Sequence, residues 1–243
     1  MKGLKKLLGY FTRFELTLWL SSVGAILLFF LIFDRSGYLT LTASLIGATS
    51  LIFCAKGNPT GQALMLVFSA LYGVISWGFA YYCEVITYLG MTAPMALLSL
   101  ISWLRNPYNG KRSEVRIINV HALEIPLMLV LSILVTVVFY NILDAFGTAN
   151  IIFSTLSVTS SFLAVYLSFR RNPYFALAYA ANDVVLIVLW VMASISDVSY
   201  VSVAVCFAVF FINDLYGFAN WLKMKSRQAE IKGQNSLEKQ KVK

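Results

Sequence analysis

Charge is scarce in this chain. Only 12% of its 243 residues are Asp, Glu, Lys or Arg, against about 25% in an average soluble domain. A soluble globule of this size could not solvate its surface with so few charges. That excludes an ordinary cytosolic enzyme and a disordered chain. It also excludes a nucleic-acid binder, despite a net charge of +8. Histidine occurs once, at His121, on the basic side just before the fifth apolar run. The three cysteines, Cys54, Cys83 and Cys206, show no metal-binding spacing and read as small apolar residues. There is no Gly-x-Ser-x-Gly elbow, no phosphate loop and no zinc pattern. No cofactor, metal or enzymatic activity is therefore expected.

What is present is hydrophobic, with 59% apolar residues and a mean hydropathy of +0.77. A helix needs about 20 apolar residues to cross a bilayer. Eight segments qualify: Phe14–Phe33, Tyr38–Ala55, Gln62–Tyr81, Glu84–Trp103, Leu123–Leu143, Asn150–Phe169, Tyr174–Ile195 and Ser199–Leu222. These are continuous runs rather than alternating strands, which argues against a barrel. The first has no small-x-small cleavage site at Asp34-Arg35 and reads as a span, not a signal peptide. The expected class is an all-α membrane protein with eight transmembrane helices.

The basic residues then explain themselves. With the loops numbered alternately, one side holds Lys2, Lys5, Lys6 and Arg13, then Lys56, Arg105 to Arg116, Arg170 and Arg171, and the tail. Only Arg35, of 19 Lys and Arg, falls on the other side. The positive-inside rule places that side, with both termini, in the cytoplasm. The segment after Leu222 is polar and is expected to be a mobile tail.

Asn-Pro follows a basic residue three times, at Asn58-Pro59, Asn106-Pro107 and Asn172-Pro173. At the first and third sites Asn caps a helix and Pro fills its first turn. A shift of 114 residues superposes those two sites, and a shift of 118 superposes Trp103 on Trp221. Spans two to four thus resemble spans six to eight, in the same orientation, with span five between them. The expected organisation is an extra N-terminal helix (1–37), a first three-helix unit (38–104), a loop and linking helix (105–149), a second unit (150–222) and the tail (223–243). Parallel repeats of this kind mark transporters that hold a solute at the repeat interface.

Charges inside spans are costly and default to function. Asp183 and Asp214 each follow an Asn, at Asn182 and Asn213. Tyr179, Asp183, Leu186 and Trp190 share a face of span seven. Asn213, Gly217 and Asn220 share one in span eight, with Asp214 and Trp221 overlapping it. Glu15, Glu84 and Glu124 sit at span ends, where water is close. Trp103 and Trp221 read equally well as a solute wall or as an interfacial belt. Carboxylates beside aromatic rings suit a flat, cationic solute. No span carries a Lys or Arg that could hold a phosphate.

The strings Tyr179-Ala-Ala-Asn182-Asp183, Trp190, and Asn213-Asp214-Leu-Tyr216-Gly217-Phe-Ala-Asn220-Trp221 resemble those of the PnuC family of bacterial vitamin transporters. Lys56-Gly57 and the 3+1+3 plan also agree, so the resemblance covers about Tyr38 to Met224. Span four departs from the family's Trp-x-x-Trp, with Leu100 in place of the first Trp. The resemblance implies a SWEET-like 3+1+3 fold with an added helix, in the bacterial inner membrane. It implies facilitated diffusion of nicotinamide riboside, with trapping by a cytoplasmic kinase. Thiamine, riboflavin or another nucleoside are the alternatives, as is a proton-coupled carrier using Asp183 or Asp214. The family's binding residues would map onto Trp190, Asn182, Asn213, Tyr216, Asn220 and Trp221. The expected partners are the small-molecule solute and membrane lipid. A homo-oligomer is allowed and nucleic acid is not expected.

Overall fold

The computed structural model describes residues 9–78, 85–148 and 150–241, the last with side chains to residue 234. Lys2, Lys5, Lys6, Cys83 and Glu84 lie outside the described residues. The chain is a bundle of apolar helices: α1 (Arg13–Phe33), α2 (Tyr38–Ala55), α3 (Pro59–Gly78), α4 (Ala93–Arg105), α5 (Glu124–Ala145), α6 (Ile151–Phe169), α7 (Tyr174–Ser194) and α8 (Val201–Lys241). Among the described residues, seven helical stretches are long and apolar enough to cross a membrane, and α3 supplies a shorter one, Pro59–Ile75.

The turns at Lys56-Gly57-Asn58 and Arg170-Arg171-Asn172 are built alike. Gly57 N–H donates to the Cys54 carbonyl and Asn58 N–H to Phe53; Arg171 N–H donates to Ser168 and Asn172 N–H to Leu167. Gly57 (φ +64) and Arg171 (φ +56) take the left-handed conformation that closes a helix end. Asn58 and Asn172 then accept from the backbone N–H two residues on, each at 3.0 Å. This is the local chemistry that starts α3 and α7.

The carbonyls at the ends of α2 and α6 are satisfied from across the bundle, reciprocally. Trp103 Nε1 on α4 donates to the Ser168 carbonyl at 2.9 Å, and Ser102 Oγ donates to Phe169 at 2.9 Å. Trp221 Nε1 on α8 donates to the Cys54 carbonyl at 2.8 Å, and Asn220 Nδ2 donates to Ala55 at 2.8 Å. Trp103 and Trp221 are both 0% exposed. Their rings lie 5.3 Å apart and pack with Phe175. They form a buried aromatic layer, not an interfacial belt.

Three features go beyond the sequence expectation. Span four begins as a π-helix, Ile86–Thr92, before α4. The cause is Pro94, which cannot donate to the Gly90 carbonyl four residues back. Ala93 N–H reaches Tyr88 instead, one residue further than an α-helix allows. The second Asn-Pro enters a β-hairpin, with β1 (Pro107–Tyr108) antiparallel to β2 (Lys111–Val115). Asn109 and Gly110 both take positive φ at its tip, as a two-residue hairpin turn requires. Finally, the polar stretch after Leu222 continues α8 as helix to Lys241. It is held there by Gln228, which accepts from Ile117 N–H at 3.0 Å and donates to the Val115 carbonyl at 3.1 Å and Glu114 Oε1 at 2.9 Å.

Glu15 is not bathed in water but is 2% exposed. The first turn of α1 docks on α8 and the α2–α3 turn, where Glu15 accepts from Lys56 Nζ at 2.9 Å and Tyr216 OH at 2.9 Å. It also completes a capping box with Thr12. Glu124, at the start of α5, pairs in the same way with Arg170 and Tyr166.

Removing one partner of a buried ion pair strands the other charge, at a cost of about 3–5 kcal/mol. Lys56→Met is therefore expected to lower the thermal unfolding midpoint in detergent clearly. The double variant Lys56→Met/Glu15→Gln should recover most of the loss. A double variant no more stable than the single one would show that the pair is not the anchor of α1.

Candidate functional site

A cavity of about 510 Å³ lies within the bundle, in the range of small-molecule sites. It runs from the α5–α6 turn (Phe146, Gly147, Thr148, Asn150) down to Leu51, Val165, Tyr179 and Asp214. Between these levels it is walled by α3, the π-helix, α6, α7 and α8. Phe68, Thr87, Tyr88, Thr92, Ser154, Ser157 and Ser161 line it, with Asn182, Asp183, Trp190, Phe207 and Phe210. The π-helix places Thr87, Tyr88 and Thr92 on this wall. Thr92 Oγ1 donates to the Thr87 carbonyl at 3.2 Å, five residues back. Single-turn π segments of this kind recur at functional sites.

The aromatic rings come from α3, the π-helix, α7, α8 and the α5–α6 turn. Phe68 contacts Tyr88 at 6.1 Å and Phe210 at 5.8 Å, and Trp190 contacts Tyr200 at 5.3 Å. Asn182 is fixed by its oxygen, which accepts from Ser157 Oγ at 3.1 Å and Ser160 Oγ at 3.0 Å. That leaves its amide N–H groups as donors to the cavity it lines. Asp183 and Asp214 are 4% and 5% exposed and interact directly across α7 and α8. Asp183 Oδ2 has no hydrogen-bond partner among the described residues. No Lys or Arg is among the lining residues. A solute entering here meets rings, hydroxyls, two side-chain amides (Asn150 and Asn182) and two carboxyl groups, with no fixed positive charge.

The ten residues expected to form the site divide evenly. Tyr179, Asn182, Asp183, Trp190 and Asp214 line the cavity. Trp103 and Trp221 lie beyond its inner end, in the layer that caps α2 and α6. Tyr179 joins cavity and layer through a 6.2 Å edge contact with Phe175. Asn213 donates to Ser22 Oγ on α1 at 2.9 Å. Tyr216 holds Glu15, and Asn220 caps α2. Sequence reasoning missed the α3, π-helix and α5–α6 contributions. Pro94 four residues after Gly90 was the available signal for the π-helix; the loop residues carried none. Among the described residues, no cluster of three or more His, Cys, Asp or Glu could hold a metal.

A helical membrane bundle enclosing a solute-sized, partly polar cavity defines the class of a membrane transport protein. The chain belongs to the nicotinamide mononucleotide transporter family, whose model matches residues 37–223. Among curated proteins it is similar to the nicotinamide riboside transporter PnuC of Neisseria mucosa. That match is 24% identical over 230 residues and covers 93% of this chain and 87% of the relative. It is also similar to the protein of the same name from Haemophilus influenzae, at 22% identity over 193 residues, covering 78% and 81%. A crystal structure of the vitamin B3 transporter PnuC superposes with a TM-score of 0.77 at 22% identity, covering 90% of this chain and 94% of that one. The fold is shared with that structure.

A buried carboxyl without a full set of partners costs about 1–3 kcal/mol. Asp183→Asn is therefore expected to raise the thermal midpoint of the solute-free protein in detergent, by a degree or more. A lower midpoint would mean that the Asp183 charge is part of the fold's support.

Proposed function

We propose that this protein is a facilitative transporter for a riboside with a flat, positively charged ring, nicotinamide riboside first among them. The observation that carries the reading is the cavity wall: aromatic rings beside Asp183 and Asp214, with no basic residue. A cationic ring gains from aromatic faces and from negative charge. A phosphate would find no cation to neutralise it, so the riboside suits the cavity better than its mononucleotide. The names of the relatives support the same solute. Asn182, Tyr179 and Trp190 would contact it, with the hydroxyls of the π-helix and α6 to meet the ribose. Thiamine and other nucleosides are the solutes to compare.

The finer architecture is proposed on the same footing. Eight helices span the bacterial inner membrane, with α2–α4 and α6–α8 as parallel three-helix units joined by α5, and α1 added in front. The reciprocal bonds from Trp103 and Trp221 support the equivalence of the two units. The basic turns support both termini in the cytoplasm. The cavity then faces the outer side, and the Trp103–Trp221 layer closes the inner one. Transport would rock one unit against the other around the solute. A cytoplasmic kinase that phosphorylates the solute would make uptake one-way, since its product no longer suits the cavity. The contact between Asp183 and Asp214 favours one second reading, in which the pair exchanges a proton during transport.

Purified protein in liposomes is expected to equilibrate labelled nicotinamide riboside without ATP or an ion gradient. Trp190→Ala should weaken solute binding about tenfold, in line with the loss of a desolvated cation–π contact, and Trp190→Phe should retain most of it. Wild-type binding by Trp190→Ala would place the solute elsewhere. Accumulation above equilibrium under an imposed pH gradient would favour the proton-coupled reading.

A further inference from the structure

The two helix-closing turns provide an internal comparison. Gly57 and Arg171 stand at equivalent positions with the same left-handed backbone, φ +64 and φ +56. Glycine adopts this conformation freely, whereas a residue with a Cβ is strained there. Arg171 also buries its side chain, which is only 9% exposed. Its Nε and Nη1 have no hydrogen-bond partner among the described residues. The charges facing it are of its own sign. Burial, Arg116 and Arg170 all depress its pKa. Arg170 is committed to Glu124. The exposed Arg116 side chain has no ion-pair partner among the described residues. The turn is pinned on both sides, by Ile118 N–H donating to the Arg171 carbonyl at 3.3 Å and by Asn172 Nδ2 donating to the Ile118 carbonyl at 3.4 Å. A strained backbone, a buried cation without an acceptor and a second free cation thus coincide at the start of α7. That helix end adds its own positive potential.

We propose that Arg171, with Arg116 beside it, binds a phosphate-type oxyanion at the α6–α7 turn. The site lies at the opposite end of α6 from the cavity mouth and is independent of the transported solute. The oxyanion would supply the acceptors that the guanidinium lacks, and an edge of the side chain still reaches the surface. Two sources share this chemistry: the headgroup of an anionic phospholipid and a soluble phosphate.

The test is thermal unfolding of the full chain in a nonionic detergent. Wild type, Arg171→Gly and Arg116→Gln are compared with inorganic phosphate against chloride at equal ionic strength. They are also compared with added phosphatidylglycerol against phosphatidylcholine. The wild-type midpoint should rise by several degrees with at least one anionic probe. A response to phosphatidylglycerol alone identifies the lipid headgroup; a response to inorganic phosphate identifies the soluble source. Arg116→Gln should reduce the response. Arg171→Gly should abolish it, while matching or exceeding the wild-type midpoint without the anion, because it restores the residue of the equivalent turn. The proposal is overturned if neither probe shifts the wild type, or if Arg171→Gly keeps the shift. It is equally overturned if Arg171→Gly lowers the anion-free midpoint, since the guanidinium would then have its partner within the chain.

Discussion

The bundle depends on how the last carbonyls of α2 and α6 are satisfied. A helix end leaves backbone oxygens without intrahelical partners. In an apolar surrounding each such group costs several kcal/mol unless something donates to it. The left-handed turns at Gly57 and Arg171 satisfy part of the set from within. α8 and α4 supply the rest: they donate to the Ala55 and Phe169 carbonyls and add a second donor to those of Cys54 and Ser168, which the turns already reach. Each half of the molecule therefore completes the other half's helix ends. The two tryptophans do this with Nε1 while their rings fill the space between the halves, one side chain serving as both cap and core. The hairpin reinforces the same end, with Val115 N–H donating to the Gly57 carbonyl and Ile118 N–H to Arg171.

That concentration of bonding at one end leaves the other free to be hollow. Above the tryptophan layer the helices separate around the cavity, and polar side chains there are only partly committed to one another. Asn182 has its oxygen bonded and its nitrogen directed to the cavity. Asp183 retains an oxygen without a partner. Incomplete satisfaction of this sort is unfavourable for stability and useful for binding, because a solute can supply what the fold withholds. The contrast with Asn213, Tyr216 and Asn220 is instructive. Those residues lie on the same helix as Asp214, yet each donates to a protein partner and holds α1 or α2 in place, although Asn213 Oδ1 has no partner among the described residues.

The sequence made the architecture legible through three strong signals: long apolar runs, basic turns confined to one side, and Asn-Pro pairs repeated at a fixed offset. Each follows from physics that acts locally, so it survives without knowledge of neighbours. The site was half legible. Asp183 and Trp190 stood out because a carboxylate and a large ring on one apolar face are costly or specific wherever they point. Thr87 did not, since ordinary α-helical spacing sets it off the face that Tyr88 and Thr92 share, and the π-helix before Pro94 brings it onto the same wall. Trp103 and Trp221 were ambiguous for a different reason. A tryptophan at a span end serves a solute, a bilayer interface or a backbone carbonyl equally well on paper, and the partner atom decides. Glu15 was misjudged because its burial depends on α8, two hundred residues away in sequence. The continuation of α8 past Leu222 rests likewise on Gln228 meeting a hairpin that alternation of apolar residues did not announce.

The reciprocity at the tryptophan layer also bears on how such a protein would move. Four bonds cross between the halves there, two in each direction, all at helix ends of the same level. The proposed rocking of one unit against the other would have to part these four bonds, which would make the layer a two-state gate rather than a flexible hinge. A solute at Asp183 and Trp190 sits on α7, between Phe175 in the layer and the cavity above it. Under the proposed reading, the Phe175 ring, which touches both tryptophans one helical turn from Tyr179, is the side chain through which a solute on α7 would act on the layer.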